Sequence, residues 1–171
     1  MQINRQMIAR EIFDWIKTIV IAIAAALFIR HFIFTPSIVP TGSMVPAIQI
    51  NDIIIVSKFS YWFKPVKRGD MVVFRSPYQK NMQLVKRVVG IGGETILIKD
   101  GKLYIDEKPY KEPYVYEPMQ EDFGPYMVPE GCYFVMGDNR NSSYDARQWS
   151  QKYVDEGMII GKAVFRFGVL Q

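Results

Sequence analysis

TILIKDGKLYI, Thr95 to Ile105, is the stretch on which the reading of the fold turns. Two short arms of alternating apolar and β-branched residues meet at Asp100-Gly101. Asp-Gly between such arms signals a two-residue type I′ hairpin, because both central residues of that turn need a positive φ. Further stretches of the same character lie on either side: DIIIVSKF (52–59), DMVVFRS (70–76), QLVKRVVG (83–90), CYFVMGD (132–138) and IIGKAVFRF (159–167). Each is short, rich in β-branched or aromatic residues, and bounded by turn formers. No segment after residue 35 holds a helical period. The expected fold is mainly β, a coiled antiparallel β-sheet or partial barrel. Residues 107–130 hold five of the ten prolines and read as a long extended loop.

The N-terminal end has a different character. WIKTIVIAIAAALFIRHFIF, Trp15 to Phe34, has about the ~20 residues that cross a bilayer as a helix. Lys17 and Arg30 flank an uncharged stretch, Thr18 to Ile29, and would snorkel to the interfaces beside Trp15, Phe32 and Phe34. A cleavable leader would need small residues just past the apolar run, and FIRHFIFTP has none. Arg5, Arg10 and Lys17 precede the span, and no Lys or Arg lies between Arg30 and Lys58, which places the N-terminus in the cytoplasm. The expected organisation is a cytoplasmic segment 1–14, a single transmembrane anchor 15–34 and an extracytoplasmic β-rich domain 35–171, held at the plasma membrane. FSYWFKPVKR (59–68) mixes aromatics with cations and reads equally as a turn dipping into lipid or a hairpin tip packed on the core.

Composition narrows the chemistry. Aromatic residues at 14% and hydrophobic residues at 49% argue against disorder in a chain of 171 residues. The net charge of +4 is dispersed and gives no nucleic-acid stripe. A single cysteine, Cys132, and a single histidine, His31, exclude an internal disulfide and metal sites built of several Cys or His. His31 abuts Arg30 at the membrane edge, so a Ser-His-Asp triad is not expected. A serine nucleophile would then need a lysine base, and that lysine must lose its proton near neutral pH. Lys86 in MQLVKRVVG shares one strand face with Met82, Leu84 and Val88, while Arg87 shares the other with Val85 and Val89. Period two does not say which face is buried. Ser43 lies in PTGSMVP (40–46), where Pro40 and Pro46 restrict the backbone and Gly42 permits a sharp turn. Taken singly, Ser43 reads as a turn residue and Lys86 as a snorkelling surface lysine.

TGSMVP (41–46), RGDMVVF (68–74), KRVVGIGGET (86–95) and GDNRNSSYDAR (137–147), in this order after one anchor, resemble the sequence boxes of type I signal peptidase. The likeness extends over residues 10 to 167. GIGGE, Ala146 and Ser150 depart from the usual boxes without touching a reacting group. The resemblance implies a serine endopeptidase that removes signal peptides from secreted pre-proteins after small residues at −1 and −3. It implies Ser43 as nucleophile, Lys86 as general base, Thr41 as an oxyanion hydroxyl and Ser143 as a hydroxyl bonded to Lys86. Val39, Met44, Val85 and Tyr144 would line the substrate pocket. Asp138, Arg140, Asp145 and Arg147 would brace the site. The partners implied are pre-proteins and membrane lipid, with no cofactor, no metal and no nucleic acid, and the chain is expected to be a monomer. The competing readings are a Ser/Lys peptidase of the self-cleaving repressor type, which lacks its DNA-binding segment here, and an anchored β-domain that binds an extracytoplasmic ligand without catalysis.

Overall fold

In a computed structural model the described residues run from Arg5 to Gly168. Residues 1–4 and 169–171, and the side chains of Arg5, Gln6, Met7, His31 and Phe32, lie outside the described residues. One α-helix, α1 (Arg5–Phe28), passes into a π-helical turn at Ile29–Ile33. The helix starts well before Trp15, and Phe34, expected as the last residue of an anchor, belongs to the first strand. Pro36 explains that end: the residue before a proline is driven to extended backbone, and Thr35 takes it. Among the described residues no helix is long and apolar enough to cross a membrane. Glu11, Asp14 and Lys17 fall inside α1, and the uncharged stretch beyond them is shared between α1 and the π-helical turn.

The strands are β1 (Phe34–Ile38), β2 (Ile53–Ser57), β3 (Met71–Arg75), β4 (Gln83–Ile91), β5 (Thr95–Lys99), β6 (Lys102–Ile105), β7 (Lys108–Tyr110), β8 (Phe123–Met127), β9 (Cys132–Met136), β10 (Val154–Asp155) and β11 (Ile159–Phe167). Seven form one sheet in the order β1-β2-β11-β3-β4-β9-β10 and four form a second in the order β7-β6-β5-β8, with every pairing antiparallel. Register shifts between Ala163 and Phe165, Ile159 and Gly161, and Val88 and Gly90 place bulges along the larger sheet. A bulge adds a residue to one strand and sharpens its twist, so the larger sheet curls. The mainly β, coiled antiparallel architecture is therefore as expected.

Two hydrophobic clusters fill this architecture. The larger contains Phe74, Val88, Val89, Ile96, Ile98, Phe134 and Trp149. The smaller contains Val39, Met44, Ile48, Ile54, Val73 and Val85. Strand β4 contributes to both, and Val85 through Gly90 are all buried. The question left by period two is thereby answered: both faces of β4 are covered, and Lys86 and Arg87 are both inside.

Asp100 and Gly101 have φ of +51° and +73°, as a type I′ turn requires. The substitution Gly101→Ala is expected to destabilise the fold by about 1–2 kcal/mol, since a Cβ disfavours that φ and would press on Pro118. A urea midpoint unchanged from the parent would contradict this. Residues 107–130 are not simply loop. Asp106 and Glu107 make a second left-handed turn into β7, and β8 follows. Prolines hid these strands. Pro109 and Pro125 are tolerated because β7 and β8 are the two edges of the smaller sheet.

Candidate active site

Ser43 sits in a 3₁₀ turn, Gly42–Met44, closed by the Val45 N–H to the Gly42 carbonyl at 3.2 Å. Met44 points inward and is fully buried, and Ile48 N–H bonds to its carbonyl at 2.9 Å. Burying Met44 therefore anchors the turn and sets the height of Ser43. Gly42 does not use a left-handed φ, and a Cβ there would make ordinary contact with Ile50, so sharp turning is not its role.

Lys86 reaches this turn from β4. Its Nζ lies 2.5 Å from Ser43 Oγ. Lys86 is 4% exposed and Ser43 8%. Burial drives the Lys86 pKa from 10.5 down to about 8, against the upward pull of Asp145 and Asp138 and with a smaller downward push from Arg147. About a tenth of the amine is then neutral at pH 7, against well under a thousandth for an ordinary lysine, and a neutral amine is able to accept a proton from an adjacent hydroxyl. Thr41 Oγ1 stands 3.5 Å from Ser43 Oγ.

The segment after β9 closes the site from above. Asn139 N–H bonds to the Ser43 carbonyl at 3.1 Å, and Asn139 Nδ2 bonds to the Gly42 carbonyl at 3.2 Å. Ser143 is buried, but its Oγ has no hydrogen-bond partner among the described residues. The expected Ser143–Lys86 bond is thus not made; the Lys86 amine is engaged by Ser43 instead. Gly137 packs between Ser143 Oγ and the Ser43 carbonyl, closer than any Cβ would allow. Gly137→Ala is expected to displace Ser43 and lower kcat by about 10²-fold, since misplacement on the ångström scale is enough. Steady-state kinetics at parental kcat would refute it.

The four bracing residues are all buried and paired. Asp138 takes a bidentate pair from Arg87, at 2.7 and 2.6 Å. Arg140 pairs with Glu112 at 2.5 and 2.6 Å and bonds through Nε to the Gly137 carbonyl at 3.0 Å. Asp145 holds Arg147 at 2.9 Å through two oxygens and also accepts the Gly137 N–H at 3.0 Å. Arg147 in turn bonds to the Arg140 carbonyl at 2.6 Å. Sequence reasoning missed Arg87, Glu112 and Tyr114, whose ring lies 4.0 Å under the Arg87 guanidinium. The available signal was a second cation, Arg87, beside Lys86 in an apolar strand, which demands an acid.

Two cavities meet at the Ser43–Lys86 pair. One, of 60 Å³, lies among Val39, Ile54, Val73 and Val85. The other, of 380 Å³, is bounded by Leu84, Tyr78, Asn139 and Tyr144. Of the expected pocket residues, Val39 and Val85 line the first, and Tyr144 stands apart in the second. Met44 lines neither, because its side chain fills the smaller core. Among the described residues no cluster of three or more His, Cys, Asp or Glu is placed to hold a metal.

Residues 12–168 match the family model described as signal peptidase, peptidase S26. The chain belongs to that family. Its similarity to a signal peptidase I of Leptolyngbya laminosa is 41% identity over 90% of this chain and 78% of the relative. A signal peptidase I of Bacillus licheniformis is 40% identical over 92% of this chain and 89% of its own length. The crystal structure of a signal peptidase I from Enterococcus faecalis superposes with a TM-score of 0.52 at 32% identity, over 59% of this chain and 98% of that one. This signal peptidase family member is therefore a serine peptidase by descent as well as by the resemblance of its sequence boxes.

Proposed function

We propose that this chain removes signal peptides from pre-proteins by a Ser43–Lys86 dyad. The observation that carries the proposal is the 2.5 Å contact between a hydroxyl and an amine that is 4% exposed. Ser43 Oγ attacks the scissile carbonyl while neutral Lys86 takes its proton. The oxyanion is met by the Ser43 N–H and the Thr41 hydroxyl. Lys86 then protonates the leaving amine, and the acyl-enzyme forms on Ser43. Water, deprotonated by Lys86, releases the signal peptide. Buried Ser143 and the paired Asp138, Arg140, Asp145 and Arg147 hold the covering segment in register.

The substrate lies as an extended strand, so alternate side chains face the same wall. The 60 Å³ cavity among Val39 and Val85 suits a small side chain such as the alanine at −3. The non-catalytic ligand-binding reading has no support from the family or the relatives.

The helix and the domain's aromatic turn together favour seating at a membrane. Phe13, Trp15, Ile19, Ile23 and Leu27 of α1 are exposed on several sides of the helix. Lys58 N–H bonds to the Ile33 carbonyl at 2.9 Å, which brings Phe59, Trp62 and Phe63 beside the point where the helix ends. These three aromatics are exposed and cluster on one another. An N-terminus in the cytoplasm and the β domain on the outer face follow from the charge asymmetry. Delivery to that surface places Ser43 where a translocated pre-protein emerges.

Cleavage of a pre-protein carrying Ala-x-Ala tests the proposal, with Ser43→Ala as the inactive control. The pH profile adds a second check. kcat/KM reports the free enzyme, so its acid limb is expected near pH 8. Bound substrate dries Lys86 further and should move the kcat limb lower. A limb near 10 would mean that Lys86 is solvated and is not the base.

A further inference from the structure

The larger cavity at the dyad has an aromatic wall that the reaction described above does not use. Tyr78, from the β3–β4 connection, and Tyr144, from the segment after β9, meet edge to face with centroids 5.3 Å apart. Both line the 380 Å³ cavity that holds Ser43 and Lys86, and neither lines the 60 Å³ cavity. The pair is also fixed in place. Tyr78 packs on Trp149 at 5.7 Å, and Trp149 packs on Phe74 at 6.0 Å. Phe74 and Trp149 are core residues, whereas Tyr78 and Tyr144 are 41% and 56% exposed. Four rings therefore run from the core to the rim of the site. The Tyr78 loop is held by the Ser76 hydroxyl, which accepts the N–H groups of Tyr78 and Gln79 at 3.3 and 3.1 Å.

We infer that Tyr78 and Tyr144 are specificity-determining residues that pack against the first residue after the scissile bond. The inference rests on the proteolytic reading of Ser43 and Lys86 and deepens it. The small cavity takes the side chain at −3, so the signal-peptide half of the substrate enters past Val39 and Val85. The scissile carbonyl sits at Ser43. The chain beyond it continues into the larger cavity, which Asn139, Ser142 and Tyr144 line and Val39 does not. An exposed, rigid pair of rings there offers flat apolar area with little ordering cost, so it favours an apolar or aromatic side chain at +1 over a carboxylate.

The test is a panel of pre-protein peptides with Ala fixed at −1 and −3 and with Phe, Ala or Glu at +1, cleaved by the full-length chain in detergent micelles. The unaltered protein is expected to prefer Phe to Glu at +1. Tyr78→Ala and the more exposed Tyr144→Ala should each reduce that preference about tenfold, mainly through KM. Tyr78→Phe, which keeps the ring, should retain it. The ranking of residues at −3 should stay as it is in all three variants. A +1 ranking that survives both alanine substitutions overturns the inference, as does a change confined to −3, and both would leave the dyad reading intact. Absence of cleavage by the unaltered protein would defeat the dyad reading and this inference together.

Discussion

Replacing Lys86 by Met is expected to abolish cleavage of a pre-protein while making the fold more resistant to urea at pH 7. The loss of activity should be at least ~10³-fold, because nucleophile activation fails as a unit when its base is removed. The gain in stability has a separate origin. In the unfolded chain Lys86 titrates near 10.5, and in the folded chain near 8. Below pH 8 both states carry the proton, and the folded state holds a buried ammonium at a cost of about 3 kcal/mol. Between pH 8 and 10.5 the unfolded chain binds the proton and the folded chain does not, so parental stability rises with pH through that window. Met keeps the length and apolar volume of the stem without the charge. The variant should therefore be more stable than the parent at pH 7 and lose most of that lead by pH 10.5. Turnover within tenfold of the parent would show that Lys86 is not the base, and equal urea midpoints at pH 7 would show that it is not desolvated.

Asp138→Ala is expected to be the most damaging change outside the dyad. It strands the Arg87 guanidinium, which is 9% exposed and still pinned by the Gly69 carbonyl and the Tyr114 ring. An unpaired buried charge costs about 3–5 kcal/mol. For a chain of this size that corresponds to a fall in Tm of about 10 °C or more. The double variant Arg87→Met with Asp138→Leu removes both charges and should recover much of the loss. Thermal melts of the two variants decide the matter: a single variant as stable as the parent would mean that the pair is not the support it is taken to be.

Much of this was open to reading before any coordinates. The Asp100-Gly101 hairpin and the five stretches around it announced themselves through β-branched runs and turn formers, and each became a strand or hairpin. The proposed nucleophile and base stand out only together, since neither PTGSMVP nor KRVVG excludes an ordinary turn or a surface lysine. What escaped notice did so for physical reasons. Strand β1 is short, contains a proline and follows an apolar run without a break, so its first residue reads as part of that run. Strands β7 and β8 are sheet edges, where proline is allowed and alternation is weak. Period two could not choose a face for Lys86 because β4 runs between two cores and has no outer face. The partners Glu112 and Tyr114 lie in a Pro-rich stretch with no local pattern, and only tertiary packing brings them to Arg140 and Arg87.

Asn139 is fastened to Gly42 across 97 positions of sequence. The chemistry consequently matures late. A nascent chain that has made Ser43 and Lys86 but has not yet docked the segment bearing Asn139 leaves the amine wet and fully protonated at neutral pH, and its hydroxyl is no sharper than any other serine's. Under the proposed dyad, proteolytic competence would arrive only with closure of the whole β domain.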